Sequence, residues 1–127
     1  MVWKFPDAEA VMCDLIEPHA PASTMLADDW EDHLPQVQVN RTGGAADDVT
    51  DTARLQVAVY AATRAAAWNL SSAIRETVLD AVNEAPGGVL IDDATEAIAG
   101  QQIPDIDPDD RRVISTYNLS FRRQNLP

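Results

Sequence analysis

Asp105, Asp107 and Asp109 stand at i, i+2 and i+4, the spacing of the first ligands of a calcium-binding loop. Such a loop turns on glycine at its sixth position and closes with glutamate at its twelfth; this chain has Asp110 and Thr116 there, and Pro108 stiffens the path. The run therefore reads as a solvated acidic turn. His19 and His33 are the two histidines, and neither has a second His or Cys at metal-ligand spacing. Ser23 lies near His19 without the glycine pattern of a nucleophile elbow. Cys13 sits among Val11, Met12, Leu15 and Ile16, an apolar context that keeps a thiol protonated. Gly43-Gly44 and Gly87-Gly88 lack the spacing and the following lysine of a phosphate loop. Asn69-Leu70-Ser71 and Asn118-Leu119-Ser120 match glycosylation acceptors, which have meaning only in a secreted chain. These residues point away from catalysis, and no metal or cofactor is expected.

The bulk properties point the same way. A chain of 127 residues is expected to form one domain with a core that needs no metal or disulfide. Its 21 acidic and 9 basic residues leave a formal net charge of -12, which repels free nucleic acid because phosphate affinity needs clustered Lys and Arg. The same charge does not exclude a protein past which DNA slides without sticking, and the plain alternative is that it simply keeps the protein in solution. One cysteine excludes an intrachain disulfide. The start, Met1-Val2-Trp3-Lys4-Phe5-Pro6, has no apolar signal segment, and no run approaches the ~20 residues of a membrane span. Synthesis and folding in the cytoplasm are expected.

The elements that would position any site can be read from periodicity. Phe5-Pro6-Asp7 starts a helix whose apolar face is Ala8, Val11, Met12, Leu15 and Ile16, and Glu17-Pro18 ends it. Residues 18–33 form an acidic, proline-bearing connection in which Trp30 anchors either to the core or to a partner. Leu34 to Thr42 alternates as a strand, Thr42-Gly43-Gly44 stops it, and 45–51 is expected to be a flexible loop carrying Asp47, Asp48 and Asp51. Leu55, Val57 and Val59 mark a second strand, paired with the first as a hairpin with a long, mobile tip. From Thr63 to Ala85 the period is helical, with Ala67, Leu70, Ile74, Val78, Ala81 and Val82 as the apolar stripe, Thr63 as N-cap and Pro86-Gly87-Gly88 as the break. Val89 to Ile98 reads as a strand, 99–110 as an acidic loop, and Arg112 to Gln124 as a long last strand with Val113, Ser115, Tyr117, Leu119 and Phe121 on one face. The predicted fold is α+β in the order α-β-β-α-β-β, two helices packed on one face of a mostly antiparallel four-stranded sheet.

Several stretches together resemble the tail terminator family of long-tailed siphophages of actinobacteria. They are Phe5 to Ala10, Leu34 to Gly44, Asp51 to Val57, Ala61 to Trp68, and the late pairs Arg111-Arg112 and Arg122-Arg123. The resemblance implies a structural virion protein, with no catalytic residues. It would form a ring, usually a hexamer, that caps the head-proximal end of the tail tube and stops tube polymerisation. That ring would also offer the joint to the head's connector or stopper. Its partners would be further copies of itself, the major tail tube protein and the connector; DNA would pass through the lumen without specific binding, and no membrane is involved. Two alternatives stay open: another neck protein of the virion, such as a head-completion or stopper protein, and an acidic inhibitor that mimics DNA.

Charge is segregated along the chain as a head-to-tail ring requires. Residues 92–110 hold seven acids and no base, while four of the nine bases lie between 111 and 123. The expected contact sets residues 92–110, with Asp105, Asp107, Asp109 and Asp110, or the 43–51 loop, with Gly43, Gly44, Asp47 and Asp48, of one subunit against an arginine-bearing surface such as Arg111, Arg112, Arg122 or Arg123 of the next; Arg41 is a further interface candidate.

Overall fold

A computed structural model describes residues 1–82, 84–102 and 112–127. In chain order the elements are β1 (Val2–Lys4), α1 (Ala8–Ile16), β2 (Ala22–Ser23), β3 (Gln36–Ala46), β4 (Thr50–Tyr60), α2 (Arg64–Leu79), β5 (Asp93–Gln101), β6 (Arg112–Arg122) and β7 (Gln124–Leu126). Short 3-10 turns occupy Trp30–His33 and Pro86–Gly88.

The four long strands pair antiparallel in the order β3-β4-β6-β5, but the sheet is not the four-stranded one expected. A fifth strand, β2, adds to β3 in parallel through Ala22↔Val37 and Ser23↔Gln38, so the sheet is mixed. β1 and β7 make a separate two-stranded antiparallel ribbon. Strands of two and three residues are too short to show a period of two. They exist because the fold brings their backbones together: the Val37 amide donates to the Pro21 carbonyl and the Ala22 amide to Glu17 Oε2, setting β2 beside β3 as the chain leaves α1.

Both helices cover one face of the sheet. All five apolar residues expected on the first helix, Ala8, Val11, Met12, Leu15 and Ile16, are buried, and Asp7 Oδ1 caps the helix by accepting from the Ala10 amide. They pack with Ile74 and Val78 of α2 against Val37, Val39, Leu55, Val57, Tyr117, Leu119 and Phe121. Those strand residues alternate, so their neighbours Gln38, Asn40, Gln56 and Asn118 fall on the opposite, polar face.

α2 begins where expected, with Thr63 Oγ1 accepting from the Ala66 amide at 3.1 Å, but it ends at Leu79 instead of Ala85. Two further turns, Ala81 N–H to Val78 O and Glu84 N–H to Ala81 O, keep Ala81 in the core while Val82 turns to solvent. β5 starts at Asp93, later than expected. Val89 and Ile91 do pack into the core, but their segment reaches the ladder only at Asp92, whose amide donates to Ser120 O. The strand then runs on to Gln101 through two register shifts.

The hairpin differs most. Residues 45–51 are not a long mobile loop: the β3–β4 ladder continues to Ala46↔Asp51 and leaves only Asp47–Val49 to turn. Gly44 makes this possible. Its φ is +113°, and a Cβ there would collide with the Thr52 carbonyl across the ladder.

Candidate assembly surface

The hairpin is braced at its root and at its tip. At the root, the Arg41 guanidinium forms a bidentate pair with Asp51, at 2.9 and 2.7 Å, and its Nε donates to Gly43 O. The Asp51 carboxylate is buried while Arg41 remains partly open to solvent, and the hydrogen-bonded pairing raises the Arg41 pKa further. The Arg41 amide donates to Glu9 Oε2, which ties the free flank of β3 to α1. At the tip, Asp47 Oδ1 accepts from the Thr50 and Val49 amides at 2.7 and 2.8 Å, and those bonds hold its carboxyl below the ordinary carboxylate range.

The C-terminal end of β6 meets this tip. Arg123 Nε donates to the Asp48 carbonyl, and its guanidinium lies 4.3 Å from the centre of the Phe5 ring. Arg122 turns to Asp92 and makes two bonds, at 3.2 and 3.1 Å, within the subunit. The structure thus brings Asp47, Asp48 and Arg123 together, and engages Arg41 and Arg122 inside the fold. Arg112 is elsewhere: it opens β6 opposite Tyr60, at the far end of that strand from Arg122. Asp105, Asp107, Asp109, Asp110 and Arg111 lie outside the described residues.

The residues considered for chemistry sit apart. His19 Nε2 is 2.6 Å from Thr77 Oγ1, His33 bonds Asp29, and Ser23 Oγ donates to the Met25 carbonyl. Cys13 is half-buried, and desolvation, followed by the carboxylates of Asp14, Glu17, Glu9 and Asp7, pushes its thiol up to about 11. Among the described residues no group of three or more His, Cys, Asp or Glu could hold a metal, and no helix is long and apolar enough to cross a membrane. An open cleft of about 490 Å³ between the C-terminal ends of the two helices has Asp14, Asp80 and Glu84 on its rim and Leu15 and Ala81 in its wall. Thr77 also lines it, with its Oγ1 paired to His19.

Trp30 answers the question the sequence posed. It is half-buried, with its ring centre 4.8 Å from that of Tyr60 on the polar face of the sheet, so it anchors the 18–33 connection to the strand beneath. The sequence reading missed the apolar side chains left in solvent, Val2, Trp3, Met25 and Val49. Their signal was a large apolar residue inside a stretch with no periodicity to bury it.

A protein-family model described as "Phage tail termination protein" matches residues 4–127. No individually curated protein matches the chain.

Proposed function

Because the chain belongs to the phage tail termination protein family, a structural family of the phage tail, we propose that it assembles into a ring, six subunits in the reading favoured here, which caps the head-proximal end of the tail tube. In that position the ring stops tube polymerisation and presents the joint to the head's connector or stopper protein. DNA passes through its lumen, where a chain of net charge -12 offers few counter-charges to hold phosphate. On the stretches quoted above, the phage is a siphophage of an actinobacterium. The chain acts as one tail-terminator domain, in the virion, after synthesis in the host cytoplasm.

The observation that carries this reading is the span of the family match, 4–127, which takes in both helices and all the long strands. The braced hairpin supports it. A mobile arm would lose conformational entropy on docking, whereas one held by Arg41–Asp51 at its root and Asp47 at its turn is ordered beforehand. The segregated charges expected to set the subunit contact keep their place here as a proposal; Arg123 holds the Asp48 carbonyl and the Phe5 ring, and no carboxylate among the described residues.

Mass photometry and negative-stain electron microscopy of the purified protein, alone and mixed with tail tube protein, test the reading. Rings of one size, and tubes that stop growing when the protein is added, are expected. A protein that stays monomeric in both conditions, with tubes growing unchecked, would refute it.

A further inference from the structure

Segment 24–33 lies across the polar face of the sheet as a strap fixed at both ends. Ser23 pairs with Gln38 in the β2–β3 ladder on one side, and half-buried Leu34 leads into β3 on the other. Between them no residue is buried: Leu26 and Trp30 are half-buried, and the rest are exposed. Two side-chain amides of β3 tie the strap down, Gln38 Nε2 donating to Thr24 O at 3.4 Å and Gln36 Nε2 to His33 O at 2.7 Å. The Trp30 ring rests on Tyr60, 4.8 Å from centre to centre. Two backbone bonds, Trp30 N–H to Ala27 O and Asp32 N–H to Asp29 O, close turns within the strap itself. A segment held this way opens far below global unfolding, because buried contacts and ladder bonds are what set local stability.

Charge works against closure. Asp28, Asp29, Glu31 and Asp32 put four exposed carboxylates within five residues. His33 Nε2 stands 3.0 Å from Asp29 Oδ2, and among the described residues no cation pairs with Asp28, Glu31 or Asp32. Arg112 is opposite Tyr60 in the β4–β6 ladder, so the sheet brings one arginine to that end of the face against four acids. The subunit around them has a net charge of -12. Like charges held close repel, swinging apart relieves the repulsion, and the repulsion grows as salt is withdrawn.

We infer that 24–33 is a strap sensitive to ionic strength, which screening lets settle on the sheet and low salt releases. It turns about its two ends, at Ser23–Thr24 and His33–Leu34. Closed, it sets four carboxylates over the end of the polar face where Gln36 and Tyr60 pair. Lifted, it bares the Tyr60 ring and frees the side-chain amides of Gln36 and Gln38. The strap thus switches that end of the face from acidic to aromatic and amide in character. The device belongs to the single subunit and does not depend on the ring.

Amide exchange of the full chain at about 0.01 M and about 1 M salt, between which the screening length falls from ~30 to ~3 Å, tests this. Protection is taken relative to a free peptide of the 24–33 sequence, so that salt effects on the intrinsic rates cancel. Protection of the bonded amides of Trp30 and Asp32 should be roughly fivefold or more lower at low salt, with the β3–β4 ladder unchanged. The variant Asp28→Asn/Glu31→Gln/Asp32→Asn leaves the His33–Asp29 pair and Trp30 in place, and it should lose the salt dependence. Trp30→Ala should strip the strap of protection at both salt concentrations without altering the ladder. Strap amides as protected as the ladder at both concentrations would overturn the inference. So would an equal salt response in wild type and the triple variant. Greater protection at low salt would mean that the pull of Arg112 outweighs the repulsion, and would overturn it as well.

Discussion

Arg41, Arg75 and Arg122 each hold a carboxylate of their own subunit. Asp51 is buried with both carboxylate oxygens on Arg41. Replacing it with alanine removes two charge-assisted hydrogen bonds, while Arg41, being partly open, can turn to water. Loss of about 1–3 kcal/mol is expected in urea unfolding with an unchanged slope; a loss below about half a kcal/mol would mean the pair braces nothing. Cys13 gives a prediction in pH. With the thiol pushed up to about 11, only about one molecule in ten thousand carries thiolate at pH 7. Alkylation of the native protein should therefore be slow and should rise about tenfold per pH unit well beyond pH 9. A plateau near pH 8.5 would show that neither burial nor the surrounding carboxylates act on the sulfur.

At the scale of elements, α2 shows which part of a periodic pattern matters. Ala67, Ile74, Val78 and Ala81 are buried and Leu70 is half-buried, although the helix itself stops at Leu79. Ile74 is fully enclosed between α1 and the sheet, so Ile74→Ala should cost about 2–5 kcal/mol, the usual range for a large-to-small change in a packed core. Chemical denaturation of the pair measures it, and near-wild-type stability would place this face in solvent. The hairpin teaches the converse. Beyond Arg41 its residues through Val49 are exposed, so no alternation of apolar and polar side chains marks them, and the ladder is held by backbone bonds, glycine geometry and the Asp47 turn. Amide exchange should accordingly show protection continuing through the Ala46↔Asp51 pairing in the isolated subunit.

For the whole molecule the decisive quantity is net charge. A subunit of net charge -12, whose arginines at 41, 75 and 122 already hold carboxylates, has little with which to displace counterions from a duplex. No binding to labelled double-stranded DNA is expected at about 0.15 M salt, for the subunit or for the proposed ring, by fluorescence anisotropy. Micromolar affinity that weakens as salt is raised would reveal a basic surface and would not suit the proposed lumen.

Sequence alone was enough for what depends on near neighbours in the chain. The five apolar positions of α1, the Thr63 cap, the stripe through Ile74 and Val78, and the alternation of Val113, Tyr117, Leu119 and Phe121 all follow from periods of 3.6 and 2 meeting an apolar core. So did the tail-terminator part of the resemblance, which the family match bears out. Tertiary structure decided the rest, because distance along the chain hides it. A two-residue strand such as β2 has no period, and it pairs with β3 only once α1 has delivered it there. β1 and β7 come from opposite ends of the sequence and cannot announce each other. The same holds for charge: Arg122 and Asp92 are thirty residues apart, so the sequence shows a base and an acid and leaves open whether they serve a neighbour or their own subunit. Their bidentate contact across the end of the sheet answers that for this pair.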